Sequence, residues 1–110
     1  MINATDADFA EQVEAQSGLT IVDFWAQWCG SCRMLMPTLD AIAAEGHVRV
    51  VKVNTDENPK TPTRLGVRSI PTMVFYRDGE PVGSIVGIAS RQRIDAALAA
   101  YASANSVKAS

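Results

Sequence analysis

An α/β domain, with a mixed sheet covered by helices on both faces, is the fold class this sequence predicts. Three observations carry it. Two apolar, β-branched runs, residues 19–25 and 48–54, are separated by a stretch with helical spacing, and strands that alternate with helices pair in parallel. A third run, residues 72–77, is followed by Asp78-Gly79 and a fourth run at 82–86, the pattern of a tight antiparallel hairpin. Finally, 47% of the 110 residues are hydrophobic and 20% charged, which suits one folded domain with one core and argues against disorder.

Each element has a local reason. A short strand at residues 1–4 is expected to open the chain. Thr5 is a good N-cap, with Asp6 and Asp8 in the first turn and Phe9 and Val13 four apart, so a helix should start there and stop at Ser17-Gly18. Residues 19–25, interrupted only by Asp23, read as a strand buried on both faces. Residues 33–45 place Leu35, Leu39 and Ile42 on one helical stripe. Gly46 is their C-cap, and Pro37 should kink the helix. Residues 48–54 are a second buried strand. The two prolines between 57 and 66 allow only a short, irregular helix. After the hairpin, Ser90 caps a last helix carrying Ile94, Leu98 and Tyr101. The small, polar tail from Ser103 should fray.

Net charge is −2 and no basic stripe or run of like charge occurs, so neither nucleic acid nor an anionic membrane is an expected partner. No apolar run approaches a membrane span. Residues 1–6 show no basic segment followed by an apolar one, so no signal peptide is visible, although one removed beforehand would leave the same chain. Two cysteines in one motif fit a reducing compartment, and a cytoplasmic monomer is the expectation.

Those cysteines, Cys29 and Cys32, are the chain's only two and lie three apart at a helix start. A disulfide closing so small a loop stabilises by about 2 kcal/mol, less than half the roughly 4.7 kcal/mol for a hundred-residue loop. Such a pair is better explained by chemistry than by stapling. A helix N-terminus offers unpaired N–H groups and about half a positive charge, which favour thiolate over thiol, and thiolate is the species that opens disulfides. Half of a metal site is the other reading. Structural zinc generally takes four ligands, whereas this chain adds only His47, beyond the helix. CxxC beside a βαβ pattern favours redox work, and no resident metal or cofactor is expected.

Three other positions stand out. Asp23 is a carboxylate in an apolar strand. It is either a satisfied polar residue at a strand end or a buried acid whose pKa rises toward neutrality, suited to proton exchange. Ile70-Pro71-Thr72 precedes the third strand, where a trans-proline is tolerated and local sequence gives no support to a cis one. Trp25 and Trp28 flank the cysteines and by themselves could be core.

Taken together, Val22-Asp23-Phe24-Trp25-Ala26, Trp28-Cys29-Gly30 with Cys32, Pro37, Ile70-Pro71-Thr72, Asp78-Gly79 and Gly87 closely resemble the bacterial-type thioredoxin family. The resemblance covers residues 9–101 and implies a thioredoxin fold: an α/β fold whose central mixed five-stranded sheet, in the order first-third-second-fourth-fifth, is flanked by four helices. It further implies a cis Ile70–Pro71 peptide against the cysteines. Cys29 would attack a target disulfide, and the more buried Cys32 would resolve the mixed disulfide. Asp23 would assist Cys32, and Lys52 on the neighbouring strand would pair with Asp23, although Lys52 also suits a plain solvated strand position. Trp28, Gly30, Ser31, Ile70, Pro71 and Gly87 would form or border the contact surface. The residue before a cis-proline can offer its backbone to an extended target segment.

The implied function is a general protein-disulfide reductase. Electrons would come from NADPH through thioredoxin reductase, since the chain has no dinucleotide-binding glycine pattern. Ribonucleotide reductase, peroxiredoxin and methionine sulfoxide reductase are the implied targets. An exported oxidase or isomerase on the same fold, and a binding or metal-binding module whose cysteines do not turn over, are the alternatives. Two departures bear on the choice. Ser31 stands where the family usually has proline. Its amide and hydroxyl can stabilise a Cys29 thiolate, which predicts a potential above the about −270 mV typical of thioredoxin. Ile88 follows Gly87 where a smaller residue is common.

Overall fold

Nine elements make up the computed structural model, which describes the backbone of residues 1–109 and side chains through residue 102. They are β1 (Ile2–Asn3), a π-helical turn (Ala10–Glu14), β2 (Leu19–Trp25), α1 (Gly30–Glu45), β3 (Arg49–Asn54), α2 (Lys60–Arg64), β4 (Thr72–Arg77), β5 (Glu80–Val86) and α3 (Arg91–Ala109). The five strands form one sheet in the order β1-β3-β2-β4-β5. β1 and β2 pair in parallel with β3, while β4 runs antiparallel to both β2 and β5. The fold class and the sheet order expected from the resemblance are both present. α3 runs through Ala109, past Ser103, from which fraying is expected, and the side chains from residue 103 on lie outside the described residues.

β2 lies at the centre because both its faces are apolar. Val22 and Phe24 point to one side and pack with Phe9, Val13, Val51, Val53 and Tyr76. Ile21 points to the other and packs with Leu35, Leu39 and Ile42 of α1, Phe75 of β4 and Ile94 of α3. Asp23 shares this second face by alternation, so the carboxylate sits on the side covered by α1. The hairpin turn has positive φ at both Asp78 (50°) and Gly79 (84°), as a two-residue turn matched to strand twist requires. Glycine is needed at 79, because a Cβ there would collide with the carbonyl of Glu14.

Several boundaries differ from expectation for physical reasons. The first helix is only the single wide turn Ala10–Glu14. Thr5 and Asp8 do form a reciprocal cap, Thr5 N–H donating to Asp8 Oδ1 (2.6 Å) and Asp8 N–H to Thr5 Oγ1 (3.2 Å). Asp6 is drawn away from that turn. Its carboxylate accepts from Lys60 N–H (3.1 Å), Thr61 N–H (2.8 Å) and the Thr61 hydroxyl (2.7 Å), thereby capping α2, whose own first residues offer no side-chain cap. Desolvation raises the Asp6 pKa, but these hydrogen bonds outweigh it and hold the group below the ordinary carboxylate range. α1 starts at Gly30 rather than residue 33 because Cys29 itself is the N-cap, and it continues through Pro37 to Glu45. β5 starts at Glu80, directly after the turn, rather than at residue 82. Ser90 caps α3 as expected, its hydroxyl accepting from Arg93 N–H at 3.1 Å.

Candidate active site

The site begins where β2 ends. After Trp25 the chain turns through Ala26, Gln27 and Trp28, with Cys29 N–H donating to Ala26 carbonyl at 3.2 Å. This places Cys29 at the mouth of α1, outside the carboxyl end of a central strand, where open α/β sheets put their chemistry. Cys29 and Cys32 are joined by a disulfide, their Cα atoms 5.3 Å apart. Cys32 is fully buried and Cys29 retains only 5% exposure, so the attacking position is less open than the sequence suggested. Ala26 lies beside the pair, with Trp25 and Ile70 packed around it.

Cys29 is extended (φ −87°, ψ 108°), and its Sγ accepts from Cys32 N–H at 3.2 Å. A sulfur therefore fills the role an oxygen fills at most N-caps. The Ser31 hydroxyl lies 3.6 Å from the same sulfur. A disulfide sulfur carries no proton, so the hydroxyl must be the donor. When Cys29 becomes a thiolate, both donors and the helix N-terminus favour the charge.

Asp23 lies on the face beneath α1, fully buried, and neither of its oxygens has a hydrogen-bond partner among the described residues. Desolvation raises its pKa from 3.8 to about 7, against a smaller downward pull from the Lys52 charge. Lys52 is its register partner across the parallel pair, but it makes no hydrogen bond to the carboxylate. Its ammonium instead sits 5.1 Å from the centroid of the Trp25 ring. The direct Asp23–Lys52 pairing implied by the resemblance is thus replaced by a longer-range influence.

The remaining predicted residues converge from three parts of the chain. The Ile70–Pro71 peptide is cis, with the Ile70 carbonyl 3.9 Å from Cys29 Sγ. Gly87 N–H donates to the Pro71 carbonyl at 2.8 Å, tying the end of β5 to this loop. Trp28 is 69% exposed, Gly30 is open, and Ser31, Ile70 and Gly87 are half-buried. Pro71 itself is buried and supports the surface from behind rather than forming it. His47 is exposed in the α1–β3 connection, and no cluster of three metal-ligating side chains occurs among the described residues. No helix among them is long and apolar enough to cross a membrane.

Sequence reasoning missed a cleft of ≈ 470 Å³ beside the disulfide, walled by Trp28 and Ile70 together with Thr55, Pro59, Pro62 and Val67. Its walls come from segments with no shared motif. Trp28 and Ile70 were singled out in the sequence, but nothing there joined them to Thr55, Pro59, Pro62 and Val67.

An open mixed sheet whose central strand delivers a CxxC disulfide onto a helix N-terminus, over a buried carboxylate and beside a cis-proline loop, defines a dithiol–disulfide oxidoreductase. The family model described as Thioredoxin matches residues 1–100. Curated thioredoxins from Staphylococcus aureus strains Mu50, MW2 and NCTC 8325 are each 44% identical over 96 residues, covering 86% of this chain and 90% of the relative. The chain belongs to the thioredoxin family. It is a protein-disulfide oxidoreductase, and membership implies a thioredoxin reductase and disulfide-bearing proteins as its partners.

Proposed function

We propose that Cys29 is the attacking sulfur and Cys32 the resolving one in a general protein-disulfide reductase of the cytoplasm. The Cys29 thiolate attacks one sulfur of a target disulfide. That S–S bond breaks, the other target sulfur leaves as thiolate, and a Cys29–target mixed disulfide forms. Cys32 then gives its proton to the Asp23 carboxylate and attacks Cys29 Sγ, releasing the second target thiolate and forming the Cys29–Cys32 disulfide. Two electrons have passed from the dithiol to the target. Lys52 moderates how strongly Asp23 holds a proton. Trp28, Gly30, Ser31, Ile70 and Gly87 receive the target segment, with Pro71 holding Ile70 in place. NADPH returns the electrons through thioredoxin reductase, and ribonucleotide reductase, peroxiredoxins and methionine sulfoxide reductases are the targets.

The observation that carries this reading is the position of Cys29 Sγ as the N-cap of α1, accepting from Cys32 N–H (3.2 Å), while Cys32 is buried on the helix that covers Asp23. The test is insulin reduction coupled to NADPH oxidation by thioredoxin reductase. Cys29→Ser should abolish turnover, and Cys32→Ser should accumulate a mixed disulfide through Cys29. Trapping through Cys32 instead would reverse the roles. The Ser31 hydroxyl beside Cys29 is the one feature favouring an oxidase, and a measured potential near that of the strongly oxidising members of the fold, about −120 mV, would select it.

A further inference from the structure

Trp28 leaves 69% of its surface in solvent, yet its indole is held: Nε1–H donates to Asp56 Oδ2 at 3.0 Å. The acceptor is itself fixed. Asn54 Oδ1 takes the N–H groups of Asp56 (2.9 Å) and Glu57 (3.2 Å). Thr55 N–H donates to Trp25 carbonyl at 2.9 Å, which ties this turn to the end of β2. Asn58 closes it from the other side, its backbone N–H (2.9 Å) and Nδ2 (3.2 Å) both donating to the Asn54 carbonyl. A short turn at the end of β3 is therefore built so that one carboxylate meets one indole. That indole is a wall of the cleft beside the disulfide, which Ile70 and Thr55 also line.

We propose that Asp56 is a positioning residue for target engagement, latching the Trp28 indole in the orientation that walls the cleft. The proposal rests on the reading that Cys29–Cys32 exchanges with protein disulfides. An exposed tryptophan without an anchor samples several rotamers. A target segment would then have to freeze the ring on docking, and immobilising one such side chain costs about fivefold in affinity. With the latch closed, the wall exists before the target arrives. Asp56 touches neither sulfur, so its effect should fall on target binding and not on the exchange chemistry.

The experiment uses the full chain, insulin as the oxidised protein, thioredoxin reductase and NADPH. Asp56→Ala should raise the KM for insulin about fivefold and change kcat by less than about twofold. The ¹⁵N-labelled Trp28 indole should lose order on the nanosecond scale in the same variant. Asp56→Asn keeps a carbonyl acceptor and should stay within about twofold of the parent in KM, with the indole still ordered. An unchanged KM in Asp56→Ala, or kcat and thermal stability falling together with KM, would overturn the latch. So would an Asp56→Asn variant as impaired as the alanine. A folded parent that cannot reduce insulin would instead overturn the exchange reading itself, whatever Asp56 does.

Discussion

Replacing Asp23 with alanine should stabilise this protein in a strongly pH-dependent way. Burial raises the Asp23 pKa from 3.8 to about 7. Each tenfold change in proton affinity is about 1.4 kcal/mol, so keeping the carboxylate ionised inside the folded chain costs roughly 4 kcal/mol. The sign follows from which state holds the proton more tightly. Below about pH 4 both folded and unfolded chains are protonated at this position and the cost is absent. Between about pH 4 and pH 7 the unfolded chain releases the proton while the folded chain keeps it, and the cost grows. Above about pH 7 both are ionised and the full cost stands. Alanine removes this term but leaves a small cavity whose cost does not vary with pH, so the informative quantity is the change in ΔΔG with pH. Equilibrium urea unfolding of the oxidised parent and variant across this range should show the variant's advantage growing by several kcal/mol, on the order of 4, as pH rises. Parallel stability profiles for the two proteins would refute the buried, proton-holding carboxylate. The same variant should resolve the mixed disulfide more slowly near neutral pH, because Cys32 loses its proton acceptor.

Two further outcomes are expected. Ser31→Ala removes the hydroxyl 3.6 Å from Cys29 Sγ. At a half-exposed site that contact is worth about 1 kcal/mol to the thiolate, so the potential should fall by roughly 20 mV in a glutathione equilibrium, and Ser31→Pro should lower it at least as far; no downward shift in either would remove the Ser31 account. Asp6→Ala deletes the remote cap of α2 and should cost about 1 kcal/mol in urea unfolding near neutral pH. Because the folded Asp6 pKa is lowered, that difference should be complete above about pH 4 and shrink as pH falls through the folded value. A loss that persisted unchanged in acid would point to packing instead of capping.

The strands were legible in the sequence because burial on both faces of a sheet leaves continuous apolar runs, and residues 19–25 and 72–77 match β2 and β4 to the residue. The hairpin was legible because two consecutive positive φ angles demand Asp78-Gly79 chemistry. The first helix was misjudged for a traceable reason. Thr5 and Asp8 do cap a turn, but Asp6 has a stronger use 54 residues away, at Lys60, where α2 lacks a cap of its own. Local propensity cannot see such a competitor. β5 was shortened in the sequence reading because Glu80 and Pro81 look unlike strand residues. An edge strand can carry both, its outer side making no ladder.

Within the site, the split between sequence and structure follows the range of each interaction. The Cys29–Cys32 spacing by itself determined that a small disulfide could close at a helix start, and that chemistry, not stability, was its purpose. These are short-range consequences of helix geometry. The potential role of Asp23 was also visible, because a lone carboxylate in an apolar strand has few ways to be innocuous. Only the tertiary structure decided that Cys29 is nearly buried, that Lys52 leans on Trp25 instead of bonding Asp23, and that Asp56 holds Trp28. Each of those depends on where a side chain from a separate segment comes to rest once the sheet has set its register, and register is a property of the whole packed core.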